Sequence, residues 1–100
     1  MDSLWTWGGV YFGYREGNEL WTHDGRHVGH FVDENIFSKN GEYLGELYNG
    51  RLITNEAKKS LHGYSFHPYG DRVGHVPYMD YVGYVMLMGY EDFPVPDRVK

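Results

Sequence analysis

The sequence lacks cysteine, long apolar runs and basic clusters, and each absence removes a class of function. Without cysteine the chain has no disulfide, thiolate metal site or thiol nucleophile. The longest apolar stretch, around 81–90, is too short to span a bilayer and contains two glycines. The first residues show no basic stretch followed by an apolar one, as a signal peptide would. We therefore expect a cytoplasmic protein without a membrane partner.

Basic residues are also scarce. Lys and Arg number 9 against 14 Asp and Glu, for a net charge of −5, and the longest basic run is Lys58-Lys59. Affinity for nucleic acids comes mainly from Lys and Arg that neutralise phosphates. We predict no nucleic-acid partner.

Aromatic residues and glycine are abundant instead. Aromatics make up 18% of the chain, with ten tyrosines, and 14 glycines accompany them. Aromatic residues favour strands and glycines favour turns, so the composition predicts an all-β protein. At 100 residues the chain has the size of one domain. We assign it to residues 1–92 and expect an extended or frayed tail at 93–100, because Phe93-Pro94-Val95-Pro96 cannot join a sheet interior.

A sixteen-residue repeat organises the first half of the chain. Four segments share an aliphatic start at this spacing, followed in the first three by an aromatic residue: Leu4-Trp5-Thr6-Trp7, Leu20-Trp21-Thr22-His23, Ile36-Phe37-Ser38-Lys39 and Leu52-Ile53-Thr54-Asn55. Turn dipeptides of the type that reverses hairpins recur at the same period: Gly8-Gly9, Asp24-Gly25, Asn40-Gly41 at one end and Gly17-Asn18, Asp33-Glu34, Asn49-Gly50 at the other. The pattern predicts a meander of short antiparallel strands.

The repeat begins in mid-unit, which predicts that a later segment pairs with the first strand and closes a ring. Residues 71–77 and residues 81–88 both resemble the missing strand, and the sequence does not choose between them. Closure would remove two exposed sheet edges. Between the repeat and these segments, the capping residue Asn55 and the late lysines predict one short helix near 55–62.

Both faces of this meander are apolar, because side chains alternate along a strand. One face collects Trp5, Trp21, Phe37 and Ile53, with Phe12, Val28 and Leu44; the other collects Leu4, Leu20, Ile36 and Leu52, with Phe31 and Leu47. The ring itself, the later segments or a second subunit must cover each face. We predict that Trp5, Trp21 and Phe37 form an interaction face for a homo-oligomer or an unknown protein partner.

The units at residues 20–31 and 36–45 resemble those of the bacterial four-fold β-flower proteins. The resemblance covers residues 4–54, with a looser continuation to 84. It implies strand–turn–strand units around a pseudo-four-fold axis. It implies no established activity and no catalytic residues.

One position in each unit, directly after the repeated glycine, carries a polar or titratable side chain. These residues are Tyr14, His30 and Glu46, followed by His75 or Tyr84. Equivalent positions around an axis converge, so we predict a binding site of Tyr14, His30, Glu46 and His75 for a small ligand, with a divalent metal as the alternative.

Signatures of enzymes are absent from the sequence. It contains no Gly-x-Ser-x-Gly, phosphate-binding loop or His-Glu-x-x-His. His23, His27 and His30 have metal-like spacing, but a predicted hairpin turn separates them. We assign no catalytic residue, cofactor or metal ligand. The sequence favours a non-enzymatic binding or structural module that self-associates through aromatic faces; the alternative is a small-ligand or metal binder at the axis.

Overall fold

The first seven strands of the chain close into a barrel of mixed strand direction. We describe it from a computed structural model of residues 2–99. The mainly β prediction is confirmed. The strands are β1 (Asp2–Thr6), β2 (Tyr11–Glu16), β3 (Glu19–Thr22), β4 (His27–Val32), β5 (Asn35–Phe37), β6 (Tyr43–Tyr48), β7 (Arg51–Asn55) and a short β8 (Tyr90–Asp92).

Three of the predicted turns are tight two-residue reversals. Glu16 pairs with Glu19, Val32 with Asn35 and Tyr48 with Arg51, so each intervening dipeptide is the whole turn. Asp33 and Asn49 adopt positive φ angles of 54° and 48° there. Asp and Asn tolerate this left-handed conformation better than most residues.

At the opposite end, each hairpin contains a β-bulge that changes which residues face inward. The register shifts between Leu4 and Trp5, Leu20 and Trp21, and Ile36 and Phe37. The prediction that Phe12, Val28 and Leu44 share a face with Phe37 is therefore wrong, because Phe37 pairs with Tyr43 and not with Leu44. A one-residue shift moves a side chain to the other face. Phe12 and Val28 thus lie in the core with Leu4, Leu20, Ile36, Phe31 and Leu52, and Leu44 and Leu47 pack against it.

The barrel closes through β7 and not through either predicted segment. Trp5 of β1 pairs with Arg51 and Thr6 pairs with Leu52, in parallel. Successive strands alternate in direction, so the first and seventh of them run the same way and can only pair in parallel. Residues 71–77 and 81–88 form no strand. The other half of β7, from Ile53 to Asn55, pairs with β8 in antiparallel fashion.

The helix predicted near 55–62 is a single 3-10 turn over Glu56–Lys58. Its capping residue is the expected one, since the Asn55 side chain accepts a hydrogen bond from the Ala57 amide at 3.0 Å. Among residues 2–99, no helix is long and apolar enough to cross a membrane.

After this turn, residues 63–89 run around one end of the barrel as a belt. The belt donates backbone hydrogen bonds in pairs to three successive hairpin ends of the barrel: Gly63 to Gly41 and Phe66 to Lys39, Arg72 to Gly25 and His75 to His23, Tyr81 to Gly9 and Tyr84 to Trp7. The six distances lie between 2.7 and 3.0 Å. The belt is thus held to the barrel by pairs of backbone hydrogen bonds that recur every nine residues, and not by strand pairing.

Residues 93–99, which the sequence predicts as an extended or frayed tail, pack against the barrel. Phe93 is 1% exposed and packs edge-on against Phe12 inside the core. Pro96–Arg98 forms a second 3-10 turn, and Arg26 donates hydrogen bonds of 2.6 Å to the carbonyls of Pro96 and Val99. Proline keeps this segment out of the sheet, but the segment still packs against the core of the barrel. Lys100 lies outside the described residues.

Candidate functional site

The predicted site residues Tyr14, His30 and Glu46 lie at matching places on three hairpins. Tyr14 pairs with Ser3, His30 with Glu19 and Glu46 with Asn35. A third residue of each hairpin lies on the same outward face and pairs with the aromatic residue that follows the bulge. We call each set of three a trio. The trios are Ser3–Tyr11–Tyr14 on β1–β2, Glu19–His27–His30 on β3–β4 and Asn35–Tyr43–Glu46 on β5–β6.

In the β3–β4 trio a carboxylate joins two imidazoles. Glu19 Oε1 lies 2.8 Å from His27 Nε2, and Glu19 Oε2 lies 2.9 Å from His30 Nδ1. The buried His27 ring also accepts the Tyr69 amide at Nδ1, at 3.0 Å. His27 Nδ1 therefore carries no proton, and its Nε2–H donates to Glu19.

In the β5–β6 trio a carboxylate is again the centre. The Tyr43 hydroxyl donates to Glu46 Oε1 at 2.9 Å, and Lys58 Nζ lies 3.0 Å from the same oxygen. Lys58 also donates to Asn35 Oδ1 at 3.0 Å. Burial, with the adjacent Glu46 carboxylate, raises the pKa of Tyr43 well above its usual value, so the phenol stays a donor.

The β1–β2 trio has no carboxylate and faces a cavity of about 430 Å³. Ser3, Tyr11 and Tyr14 line its barrel side, and His75, Val76 and Tyr78 of the belt line the other. Of the four residues predicted to form a ligand site, Tyr14 and His75 thus share one cavity.

His30 and Glu46 have partners of their own, so the four residues are not brought together at an axis. Each lies on the outer face of the barrel in a separate trio. In the described part of the chain, no three His, Asp or Glu side chains form a group that could hold a metal ion.

The belt covers much of the aromatic face that was predicted to meet a partner. Trp21 is 1% exposed and lies beneath Arg72, with Tyr69 stacked parallel to it at 6.2 Å. Trp5 stacks on Tyr81 at 4.0 Å. Phe37 is buried, and a Cβ added to Gly63 would lie 2.8 Å from its ring. These contacts come from the chain's own belt.

The belt carries a sequence signal that the sixteen-residue search missed. Pro68-Tyr69-Gly70-Asp71-Arg72-Val73-Gly74 matches Pro77-Tyr78-Met79-Asp80-Tyr81-Val82-Gly83 at five of seven positions. The nine-residue spacing equals the spacing of the belt's anchor points. A search for internal similarity at periods shorter than sixteen residues would have found it.

The outer side of the belt is an apolar ridge with a three-residue period. Its six side chains are 85–100% exposed: Val73, Val76, Met79, Val82, Val85 and Met88. A period of three is typical of a polyproline II helix, in which the backbone makes no hydrogen bonds to itself. The residues one place earlier, such as Arg72, Tyr78 and Tyr81, contact aromatic rings of the barrel.

Comparison of the chain with protein-family models, curated proteins and solved structures finds no match.

Proposed function

We propose that the protein is a non-enzymatic binding module that associates with a second copy of itself through the ridge. The observation that carries the proposal is the row of six nearly fully exposed apolar side chains. Contiguous apolar patches of this kind mark interaction sites in soluble proteins. The face proposed for contact is thus the outside of the belt, because the belt itself lies over Trp5, Trp21 and Phe37.

The extent of the ridge fits a stable interface. Burying one aliphatic side chain removes roughly 100 Å² of apolar surface from water, at about 25 cal/mol per Å². Six such side chains, with the partly exposed Tyr78, Tyr81, Tyr84 and Met86, approach the roughly 800 Å² that a standard interface takes from each partner.

The charge pattern favours a second copy over a different partner. Residues 73–88 contain one acidic residue and neither Lys nor Arg. That residue, Asp80, accepts the Tyr11 amide at 3.0 Å and is held against the barrel. An uncharged apolar surface is complementary to itself, as the matching patches of a two-fold dimer must be.

We further propose that the four-fold β-flower resemblance extends to the architecture. Two observations support it: the same bulged pairing recurs in three hairpins, and the belt anchors on three successive hairpin ends. β8 pairs with β7 in antiparallel fashion, as a strand of a fourth unit would. A cytoplasmic location agrees with the cysteine-free sequence.

Light scattering after size exclusion, across a dilution series, tests the self-association. The double variant Met79→Glu/Val85→Glu places two charges on the ridge at positions 85% and 90% exposed. We expect the native chain to dimerise and the variant to stay monomeric with an unchanged circular dichroism spectrum. Val32→Glu is the matched control, because Val32 is exposed but lies on β4 beside the Asp33-Glu34 turn. A native chain that is monomeric throughout the series would exclude the proposal.

A small-ligand function is supported by one observation, the cavity that Tyr14 shares with His75. It concerns the barrel side of the belt, and Val76 is the one residue of the ridge that also lines the cavity.

A further inference from the structure

We propose that the cavity between β1–β2 and the belt binds a carboxylate group, which completes the trio Ser3–Tyr11–Tyr14. The proposal goes beyond self-association, since it concerns a different face of the belt. It is carried by a comparison of three equivalent hairpins within one chain.

Two of the three trios already hold a carboxylate. In one, Glu19 accepts from His27; in the other, Glu46 accepts from Tyr43. His27 and Tyr43 occupy the same place, opposite the aromatic residue that follows the bulge. Tyr11 occupies that place in β1–β2, opposite Trp5.

The first trio has hydroxyl groups but no carboxylate. Ser3 stands where β3–β4 has Glu19, and Tyr14 stands where β5–β6 has Glu46. The serine side chain is shorter than that of glutamate and carries no carboxylate. It lines the cavity of about 430 Å³ on this side of the barrel. That volume lies within the range of small-molecule sites, about 300–1,000 Å³.

The groups around the cavity suit an anion of this shape. The lining includes the phenols Tyr11, Tyr14 and Tyr78, the imidazole of His75 and the hydroxyl residue Ser3, and the Tyr14 hydroxyl also accepts from Arg72 Nη1 at 3.4 Å. The lining contains neither Asp nor Glu. Hydrogen bonds to a carboxylate are among the stronger ones in proteins, and a partly enclosed site strengthens them further.

The belt keeps this space open. Its backbone is anchored at His75 and again at Tyr81, and between these points it passes over the β1–β2 hairpin. In the neighbouring unit Phe66 fills the matching position, packed against His27 at 4.9 Å and His30 at 5.9 Å. His75 stands nine residues after Phe66, at the equivalent position of the belt. A polar ring therefore takes the place of an apolar one over the β1–β2 hairpin.

Calorimetric titration of the full chain at neutral pH tests the site, with sodium benzoate as the probe and benzamide as its uncharged match. We expect saturable binding of benzoate and at least about tenfold weaker binding of benzamide, because hydrogen bonds to a charged acceptor are the stronger ones. Equal affinity for the two probes, or no binding of either, would overturn the proposal.

Two substitutions locate the binding. Ser3→Glu recreates the arrangement of the β3–β4 trio, so its own carboxylate should exclude benzoate and raise the unfolding midpoint. Tyr11→Phe removes the donor and keeps the ring, so it should weaken benzoate by about tenfold if that hydrogen bond is charge-assisted. Tyr48→Phe, at a tyrosine outside the cavity, is the control. Unchanged benzoate binding in both Ser3→Glu and Tyr11→Phe would place the probe elsewhere and refute the site.

A second arm identifies the source of the carboxylate. An acetylated and amidated Gly-Glu-Gly peptide is titrated beside benzoate, with Gly-Gln-Gly as its match. Tighter binding of the glutamate peptide supports a side chain of a partner, and tighter binding of benzoate supports a small acid; the site stands in both cases. The mass of Ser3→Glu measured by light scattering should match that of the native chain. Carboxylate binding in the cavity and self-association through the ridge are therefore tested separately.

Discussion

The guanidinium of Arg72 lies 3.7 Å above the ring of Trp21, and its nitrogens reach Glu16 at 3.0 and 3.2 Å. This contact fixes the middle of the belt to the outer wall of the barrel. Arg72 and His75 also donate their backbone amides to Gly25 and His23 there. The belt has few buried side chains, so contacts of this kind decide how often it opens.

We expect Arg72→Ala to release the belt locally without unfolding the barrel. The amides of residues 72 and 75 should exchange with solvent deuterium at least about fivefold faster, because local opening no longer breaks the cation–π and ionic contacts. Core amides of β3 and β4 should keep their protection. Arg98→Ala removes an exposed arginine outside the belt and serves as the control. Unchanged exchange at both belt positions would show that the backbone hydrogen bonds alone hold this segment.

Acid should weaken the same anchor. The hydrogen bond from Arg72 holds the pKa of Glu16 below its ordinary value of 4.5. The folded carboxyl therefore stays ionised at pH values where the unfolded one is protonated. The pair contributes stability that is fully present above the ordinary pKa and is lost as pH falls through the folded one.

This loss can be followed through the Trp21 indole resonance in an NMR titration toward acid. We expect a transition below pH 4.5 in the native chain. It should be absent in Glu16→Gln and present in Asp97→Asn, which alters an exposed acid elsewhere. A transition that survives in Glu16→Gln would have another origin.

Glycine at the hairpin ends allows the belt to approach the barrel. At Gly25, φ is +90° and an added Cβ would lie 2.0 Å from the Arg72 carbonyl oxygen. Gly17 has a similarly positive φ of +61° but open space around it. Alanine in the left-handed region lowers the free energy of unfolding by about 1–2 kcal/mol. Gly17→Ala should show this backbone penalty and no steric one.

Gly25→Ala should cost more, by about 1–3 kcal/mol of overpacking in addition to the backbone term. Urea denaturation of the two variants measures the difference, in which the shared φ penalty cancels. Equal losses of unfolding free energy would mean that the belt moves aside without cost at this point.

The hairpins could be predicted from the sequence, and the way they close could not. Dipeptides such as Asp24-Gly25 and Asn49-Gly50 encode turns through local backbone conformation, which one sequence reveals. The bulge that turns Phe12 inward depends on a one-residue shift, and alternation alone does not report it. Val73-Gly74 and Val82-Gly83 resemble the strand residues Val28-Gly29, yet both valines are exposed and both glycines lie against hairpin ends.

The belt escaped prediction because its period is three, whereas strands repeat every two residues and helices every 3.6. The repeat marked Tyr14, His30 and Glu46 as equivalent positions, which their pairings agree with. The prediction that these side chains converge on an axis was wrong, because they lie on the outer face of the barrel. The bulges decide which side chains face outward, and the sequence alone does not reveal them.

Phe93 connects the tail to the core, and its removal should cost far more than any change on the belt. The side chain is 1% exposed, contacts Phe12 with ring centroids 5.3 Å apart, and lies in the core cluster with Val99. Phe93→Ala would leave a cavity in this core, and such changes typically cost about 3–5 kcal/mol. Tyr64→Ala, at a belt position that is 95% exposed and outside the ridge, should stay within about 0.5 kcal/mol. Urea denaturation of both variants measures the contrast, and a loss below about 1 kcal/mol for Phe93→Ala would mean that the tail is not part of the folded core.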